Sequence, residues 1–162
     1  MQLSETGPRI ASLIQQKWRE GFGMHANGIL MADGSVILFE CRKLKAEGKT
    51  RPSAAAIGNS TLESILSYDA DAWVPLTEMD RKEDAHSGIR LTCGEGAMGN
   101  EGYVAVSDRE DGKLKWYAFF SCSNPFESVR MEEGIVMAEN AYGQLWKFPL
   151  ERPESVSIEA AD

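Results

Sequence analysis

The feature that most constrains the fold is a run of short strand-like segments between residues 88 and 150. Segments rich in β-branched and aromatic residues follow turn residues there, as in Leu114–Ser121 after Asp111-Gly112 and in Gln144–Leu150 after Asn140–Gly143. Short apolar segments separated by Gly, Asn and Asp at brief intervals are typical of an antiparallel meander. The sequence therefore predicts that residues 88–150 form the centre of a twisted, mostly antiparallel sheet.

An amphipathic helix is predicted over residues 8–20. Pro8 fits the first helical position, where its missing N–H costs no hydrogen bond. The apolar residues that recur at helical spacing are Ile10, Leu13, Ile14 and Trp18. We expect this helix to pack on the sheet through that apolar face.

A β-hairpin is predicted over residues 27–41, because Asp33-Gly34 is a strong tight-turn signal between two apolar segments. Residues 42–60 differ in character, since five cations fall within residues 42–51. We interpret this segment as an exposed basic loop. A phosphate- or RNA-binding patch is the alternative, although no aromatic residues alternate with the cations to stack on bases. The cations are Arg42, Lys43, Lys45, Lys49 and Arg51.

Three shorter elements are predicted between the hairpin and the meander. Ser60–Glu63 has the pattern of a capping box, which favours a short helix through Leu62, and a short strand over residues 65–68 is the alternative. Trp73–Leu76 is predicted to be an edge strand, because its proline cannot donate to a sheet ladder. The charged residues Glu78–Ser87 are interpreted as a connector.

Together these elements predict a single domain over residues 1–162 with a β-rich α+β fold. The N-terminal helix packs on a mostly antiparallel sheet of about seven to nine strands. A chain of 162 residues can bury a substantial core, and its 43% hydrophobic content argues against disorder. We find no internal repeat and no linker that would divide the chain.

The cysteines and the N-terminus predict a cytoplasmic location. Cys41, Cys93 and Cys122 are an odd number, widely spaced and without a Cys-x-x-Cys pair, which fits reduced thiols. No basic start followed by an apolar segment marks a secretory signal at the N-terminus. No apolar run approaches the roughly 20 residues of a membrane helix, so we expect no membrane contact.

The charge is unevenly distributed along the chain. Residues 1–60 carry eight Lys and Arg against five Asp and Glu, whereas residues 61–162 carry nine against twenty, a local charge of −11. An acidic surface disfavours contact with nucleic acid and steers encounters toward basic partners. The simpler interpretation is that acidic side chains keep the protein soluble.

The glycine-rich segment 94–102 contains a literal G-x-G-x-x-G at residues 94–99. A dinucleotide site needs a helix after this motif, because the helix N-terminus holds the pyrophosphate. Here Asn100-Glu-Gly102 and another predicted strand follow. A glycine-rich hairpin loop is therefore the favoured interpretation, and a nucleotide-binding loop is the alternative.

The sequence predicts no catalytic constellation, no metal site and no cofactor. His25 and His86 are the only histidines, and neither has metal-ligand spacing around it. The best candidate nucleophile is Cys93, which opens the glycine-rich segment, with His86 as its base. A buried core cysteine is the favoured interpretation of Cys93.

We therefore predict a non-catalytic cytoplasmic binding protein that associates stoichiometrically with another, basic protein. Its most concrete form is an acidic inhibitor or immunity-type protein that neutralises a basic toxin or nuclease. The predicted contact residues are Asp108, Glu110, Asp111, Tyr117 and Phe119. The alternatives are a small enzyme or nucleotide binder using loop 94–102, and a structural or assembly subunit that forms a homo-oligomer.

Overall fold

The computed structural model describes residues 3–159, except for the side chains of residues 3–6, 46, 49 and 50. Thirteen strands and two α-helices form the described chain, with a turn of 3-10 helix at Pro153–Ser155. In chain order they are α1 (Leu3–Arg19), β1 (Phe22–Met24), β2 (Gly28–Met31), β3 (Ser35–Ala46), β4 (Lys49–Thr61), α2 (Leu62–Tyr68), β5 (Trp73–Pro75), β6 (Thr77–Asp84), β7 (Ile89–Glu95), β8 (Gly102–Asp108), β9 (Leu114–Phe120), β10 (Phe126–Glu132), β11 (Ile135–Asn140), β12 (Leu145–Pro149) and β13 (Ser157–Glu159).

The described strands form three antiparallel sheets. Seven strands lie in the order β4-β3-β2-β9-β8-β7-β6, four in the order β10-β11-β12-β13, and β1 pairs with β5. The predicted β-rich α+β fold, with an N-terminal helix on a mostly antiparallel sheet, is confirmed. The predicted hairpin 27–41 is also confirmed, as β2 and β3 joined at Asp33-Gly34.

The predicted meander divides between two sheets. Strands β7, β8 and β9 are neighbours in the seven-stranded sheet, whereas β10, β11 and β12 belong to the four-stranded sheet. The backbone N–H of Val129 on β10 donates to the Asp80 carboxylate on β6 (2.9 Å), which joins the two sheets. The division has a physical reason, since β8 and β9 carry apolar side chains on both faces and need a cover on each side.

The four-stranded sheet covers one face of β8 and β9. Side chains of both sheets interdigitate there, and the rings of Phe120 and Trp146 lie 4.7 Å apart. Trp146 and Phe148 are fully buried in this first core. Packing of two sheets through their inner faces is the arrangement of a β-sandwich.

The helices and the two-stranded sheet cover the opposite face. Ile14 of α1, Leu62 of α2 and Val74 of β5 are buried there against Tyr117 and other residues of the seven-stranded sheet. The Gln15 side chain also bonds both backbone groups of Leu114, which aligns α1 with β9. This second core confirms that the N-terminal helix docks on the sheet.

The predicted start of the N-terminal helix is wrong. The helix covers Leu3–Arg19, and Pro8 lies inside it instead of at its first position. Pro8 is the sixth residue of this helix, beyond the first four N–H groups that have no helical partner, so it removes one hydrogen bond of the second turn. The proline was therefore a misleading marker for the boundary.

Two segments predicted as loops are strands. Residues 42–60 form most of the β3–β4 hairpin, with a turn at Glu47-Gly48, and Thr77–Asp84 forms the edge strand β6 instead of a connector. Neither segment alternates between apolar and polar residues, because edge strands are exposed and carry charged side chains that discourage aggregation. The charge that marked these segments as loops is therefore compatible with strands.

The two short elements that follow the hairpin are confirmed. Leu62–Tyr68 is helical, and its cap is Thr61, whose hydroxyl accepts a hydrogen bond from the backbone N–H of Ser64 (3.1 Å). Trp73–Pro75 forms the predicted strand and pairs with β1.

The predicted reduced thiols are a further error, because Cys41 and Cys122 form a disulfide. Strand β2 pairs with only residues 36–38 of β3, so the rest of the β3–β4 hairpin extends past it. The disulfide ties this extension to the segment after β9, with the two Cα atoms 5.8 Å apart. The bond joins residues 81 positions apart, a separation that no local sequence pattern indicates.

Reducing the disulfide should lower the free energy of unfolding by about 2–4 kcal/mol, because the bond limits the freedom of the unfolded chain. Urea unfolding with and without a phosphine reductant measures the change. The same reductant should have no effect on a C41S/C122S variant, since Cys93 is free in the native protein. Equal stability of the wild type under both conditions would contradict the disulfide.

Candidate functional site

The predicted acidic contact residues form a tight turn between β8 and β9. The Asp108 carboxylate accepts hydrogen bonds from the backbone N–H groups of Glu110 (2.8 Å) and Asp111 (3.0 Å), and these bonds lower its pKa. The Asp111 carboxylate accepts one from the N–H of Lys113 (2.9 Å). Two of the three acids thus stabilise the turn, and the exposed Glu110 carboxylate is the one free of these turn bonds.

Tyr117 and Phe119 do not lie beside these acids on the surface. Their side chains are 0% and 1% exposed in the second core, and the Tyr117 hydroxyl donates to the Met24 carbonyl (3.0 Å). The prediction that both aromatic residues contact a partner is therefore wrong in this structure. The helices cover the face of β9 that carries Tyr117 and Phe119. The alternation of residues along the strand predicts two faces but does not predict which of them is covered.

The glycine-rich loop joins the antiparallel strands β7 and β8, so no helix follows it to hold a phosphate. Two of its glycines are explained by close packing. A Cβ on Gly94 would collide with the backbone carbonyl oxygen of Thr77, and one on Gly96 would lie 2.6 Å from Glu101 Oε1. Around Gly99 the space is open. Packing therefore accounts for Gly94 and Gly96 but not for Gly99.

A carboxylate–imidazole pair closes this loop. The buried Glu101 accepts hydrogen bonds from the backbone N–H of Met98 (3.0 Å) and faces His25 Nε2 at 2.8 Å. The His25 ring packs edge-on against Phe119, and about half of its side chain remains exposed. A buried carboxylate is costly unless such partners satisfy it. The pair therefore anchors the loop to the segment between β1 and β2, a contact that sequence reasoning missed because 76 residues separate the partners.

Cys93 does not have the environment of a nucleophile. Its side chain is fully buried in the first core, and the thiol donates to the Phe126 carbonyl (3.4 Å). Burial, reinforced by the nearby Asp80 carboxylate, raises the pKa of the thiol to about 12. The hypothesis of a Cys93 nucleophile with His86 as base is contradicted, because the thiolate is the reactive form.

The outside of the four-stranded sheet, which we name the outer face, carries several half-buried apolar side chains. Alternation along β11 and β12 directs Val136, Ala138, Trp146 and Phe148 into the first core. The side chains between them point outward and are half-buried. The apolar ones, which form the floor of this face, are Ile135, Met137, Leu145 and Pro149, and the charged residues Glu139 and Lys147 lie among them. A hollow of 650 Å³ lies over part of this floor.

Both carboxylates and cations lie beside the floor of the outer face, with Arg130 and Lys147 on the two sides of Met137. The two cations on this face are already paired, Arg130 with Glu132 (3.3 Å) and Lys147 with Glu159 (2.6 Å). The carboxylates of Glu133 and Glu139 have no ion-pair partner among the described residues. An apolar centre with a charged rim is the usual anatomy of a protein-binding surface. Apolar residues on both sides of β11 and β12 were the sequence signal for this surface.

No protein-family model, curated protein or solved structure matches the chain. Within residues 3–159 no group of three or more His, Cys, Asp or Glu side chains could hold a metal ion. No helix in that range is both long and apolar enough to cross a membrane.

Replacing Gly94 with alanine should destabilise the protein by about 1–3 kcal/mol, because the added methyl group overlaps backbone that cannot move aside cheaply. Gly99→Ala in the same loop is the matched control and should leave stability unchanged within about 0.5 kcal/mol, because its surroundings are open. Urea unfolding of both variants measures the difference. An equal loss of stability in the two variants would contradict close packing as the reason for the glycine at position 94.

Iodoacetamide should not label Cys93 in the native protein between neutral pH and about pH 9. The native thiol has a pKa above that of an unfolded cysteine, so it stays neutral in this range and is also inaccessible. Mass spectrometry of the labelled protein tests this, with urea-unfolded protein as the positive control. Native labelling that increases with pH in this range would contradict the buried assignment.

Proposed function

We propose that this chain is a non-catalytic binding protein that associates stoichiometrically with a basic protein. Its most concrete form is an inhibitor or immunity-type protein that neutralises a basic toxin or nuclease. The observation that carries the proposal is the outer face, where apolar side chains lie beside unpaired carboxylates and both cations are held in ion pairs. The contact surface proposed here replaces the one predicted around the β8–β9 turn.

The floor of the outer face would provide the affinity of such a complex. Ile135 and Pro149 are register partners on the two central strands of the four-stranded sheet, Met137 follows Ile135 on the same face, and Leu145 lies beyond Lys147. Transfer of apolar surface out of water contributes about 25 cal/mol per Å² before the costs of association. A contiguous apolar patch with a polar rim is characteristic of interaction sites on soluble proteins.

The carboxylates at the rim would select a basic partner and speed the encounter. Glu133 and Glu139 have no neutralising cation among the described residues, and residues 61–162 together carry a charge of −11. Complementary charge increases the association rate most at low ionic strength. The proposed complex should therefore form more slowly as salt is added.

The disulfide bears on where this binding would take place. Disulfides persist in oxidising compartments, whereas cytosolic thiols are kept reduced. The Cys41–Cys122 bond therefore favours an oxidising compartment over the predicted cytoplasm. The proposed association does not depend on the compartment, because the outer face contains neither cysteine.

The geometry of loop 94–102 does not favour the nucleotide-binding alternative, since Gly94, Gly96 and Gly102 pack against the protein's own backbone and side chains. The alternative of an assembly subunit stays a prediction. Measurement of the molar mass in solution distinguishes a homo-oligomer from a complex with a different protein.

Neutralising the rim should weaken partner binding by about tenfold or more, equivalent to about 1.4 kcal/mol. The face variant is E133N/E139Q, in which asparagine suits the positive φ of residue 133. Its matched control is E63Q/E110Q, which removes the same charge from α2 and from the β8–β9 turn. Calorimetric titration with the purified partner measures both affinities.

The partner is first isolated by affinity capture with all three proteins at low and high salt. We expect the wild type and the control variant to retain one basic protein in equal molar amount, and the face variant to lose it. Equal retention by the face variant would contradict the outer face as the site. If only the control variant lost the partner, the result would indicate that the partner binds at the β8–β9 turn that the sequence predicted.

A further inference from the structure

The two edges of the seven-stranded sheet differ in charge. Strand β6 forms one edge, and all of its residues except Thr77 and Met79 are charged. Strand β4 forms the other edge and carries no Asp, Glu, Lys or Arg between Pro52 and Thr61. Charged side chains on an edge strand hinder its pairing with another chain. The edge of β4 is therefore the one that can accept an additional strand.

The hydrogen bonds of β3 show which backbone groups of β4 face outward. Directly opposite residues in an antiparallel pair either exchange both hydrogen bonds or exchange none. The N–H of Phe39 donates to the carbonyl of Asn27 (3.0 Å), on the side of β3 away from β4. Ala56 lies opposite Phe39, so its N–H and C=O point away from β3 and toward the free edge.

The turn of the β3–β4 hairpin leads to the same result. Glu47 and Gly48 have φ values of 53° and 76°, as in the type I′ turn, whose flanking residues bond each other. Counting from the flanking residue of β4, every second residue from position 50 to Ala56 faces outward, including Pro52 and Ala54. Proline suits this position because its missing N–H would face solvent. Ala54 and Ala56 thus have N–H and C=O groups that no described residue binds.

The free stretch of this edge is short. Pro52 provides no N–H at one end, and the register shifts at the other end, between the partners of Leu38 and Phe39, where Ile57 is the extra residue. The side chain of Ile57 is 63% exposed, which is high for an isoleucine in a sheet. A strand added along the edge would cover it. The two ends limit such an addition to a few residues.

A second copy of β4 fits this stretch. When two β4 strands lie antiparallel about a two-fold axis at Ala55, Ala54 of each copy lies opposite Ala56 of the other. Each of these pairs can exchange two hydrogen bonds, which satisfies every free group of both alanines. The facing side chains near the axis are methyl groups, and Arg51 lies near Asn59 of the other copy, so like charges do not meet. A two-fold contact requires this self-complementarity.

The distribution of charge along the hairpin also favours the antiparallel arrangement. Toward the tip, residues 40–51 carry five Lys and Arg against two Glu. At the base lie Asp33 and Glu63, against Lys115, whose backbone carbonyl accepts the N–H of Ala32. The two-fold axis places the positive tip of each copy beside the negative base of the other, which favours their encounter.

We propose that the free edge of β4 binds the same edge of a second copy of this chain, so that the two seven-stranded sheets join into one. This is strand addition at a sheet edge, with main-chain hydrogen bonds at the contact. The edge and the outer face belong to different sheets, so the dimer does not depend on the proposed binding of a basic protein.

Amide hydrogen exchange, followed by nuclear magnetic resonance, tests this contact, and sedimentation equilibrium gives the fraction of dimer. At millimolar concentration the amides of Ala54 and Ala56 should be protected from exchange. On dilution to a monomer both should lose this protection, because no described residue binds them. The amide of Ala55 faces β3 and should stay protected at both concentrations.

Two substitutions locate the contact. A54P removes an outward N–H that the monomer does not use, and A55K places a lysine beside the same lysine of the other copy. Each should weaken the dimer about tenfold or more. The matched control is A85K, which adds a lysine at an exposed alanine between β6 and β7 and should leave the dimer unchanged. A55K tests the contact even where A54P disturbs the hairpin.

Three results would overturn the proposal. The first is a monomer at millimolar concentration, including a monomer whose Ala54 and Ala56 amides become protected only in a complex with a different protein. The second is a dimer in which these two amides exchange as fast as in the monomer, which would place the contact elsewhere. The third is unchanged dimer affinity in both A54P and A55K.

Discussion

The fold depends on the burial of strands β8 and β9 from both sides. Their side chains are apolar on each face, and Val104, Tyr117, Ala118 and Phe120 are essentially inaccessible to solvent. Antiparallel sheets commonly leave a polar face in water, whereas this pair is apolar on both faces and is covered by a layer on each side. The four-stranded sheet provides one layer, and α1, α2 and the β1–β5 pair provide the other.

The open surfaces of the protein follow from the way these layers cover the central strands. The four-stranded sheet directs one set of alternate side chains inward, and its other set, including Ile135 and Met137, has no layer beyond it. On the opposite side, α1 reaches Tyr103 of β8 through Trp18, and a cleft remains beside it over β6 and β7. A sheet that covers another sheet exposes its own second face to solvent. A helix that covers a sheet leaves the strands beyond the end of the helix exposed.

The carboxylates of this protein differ in what holds them. Those of the outer face outnumber its cations, and both cations are paired. Aspartate and glutamate residues thus have different roles at different positions in the fold. Asp108 and Asp111 stabilise a turn through backbone hydrogen bonds, Glu101 anchors a loop through His25, and Glu133 and Glu139 remain unpaired among the described residues. The total charge could not distinguish these roles, because ion pairing depends on distances in the folded chain.

Local signals in the sequence were sufficient for the strands of the meander, the Asp33-Gly34 hairpin, the amphipathic helix and the β-rich α+β class, since periodicity and turn chemistry act over a few residues. Only the tertiary structure decided which sheet each strand joins. A strand that is apolar on both faces has the same sequence pattern whether a sheet or a helix covers it. That choice buried Tyr117 and Phe119, brought Cys41 to Cys122 and His25 to Glu101, and left the outer face and the cleft open. Each of these contacts joins residues far apart in sequence, which a local pattern cannot encode.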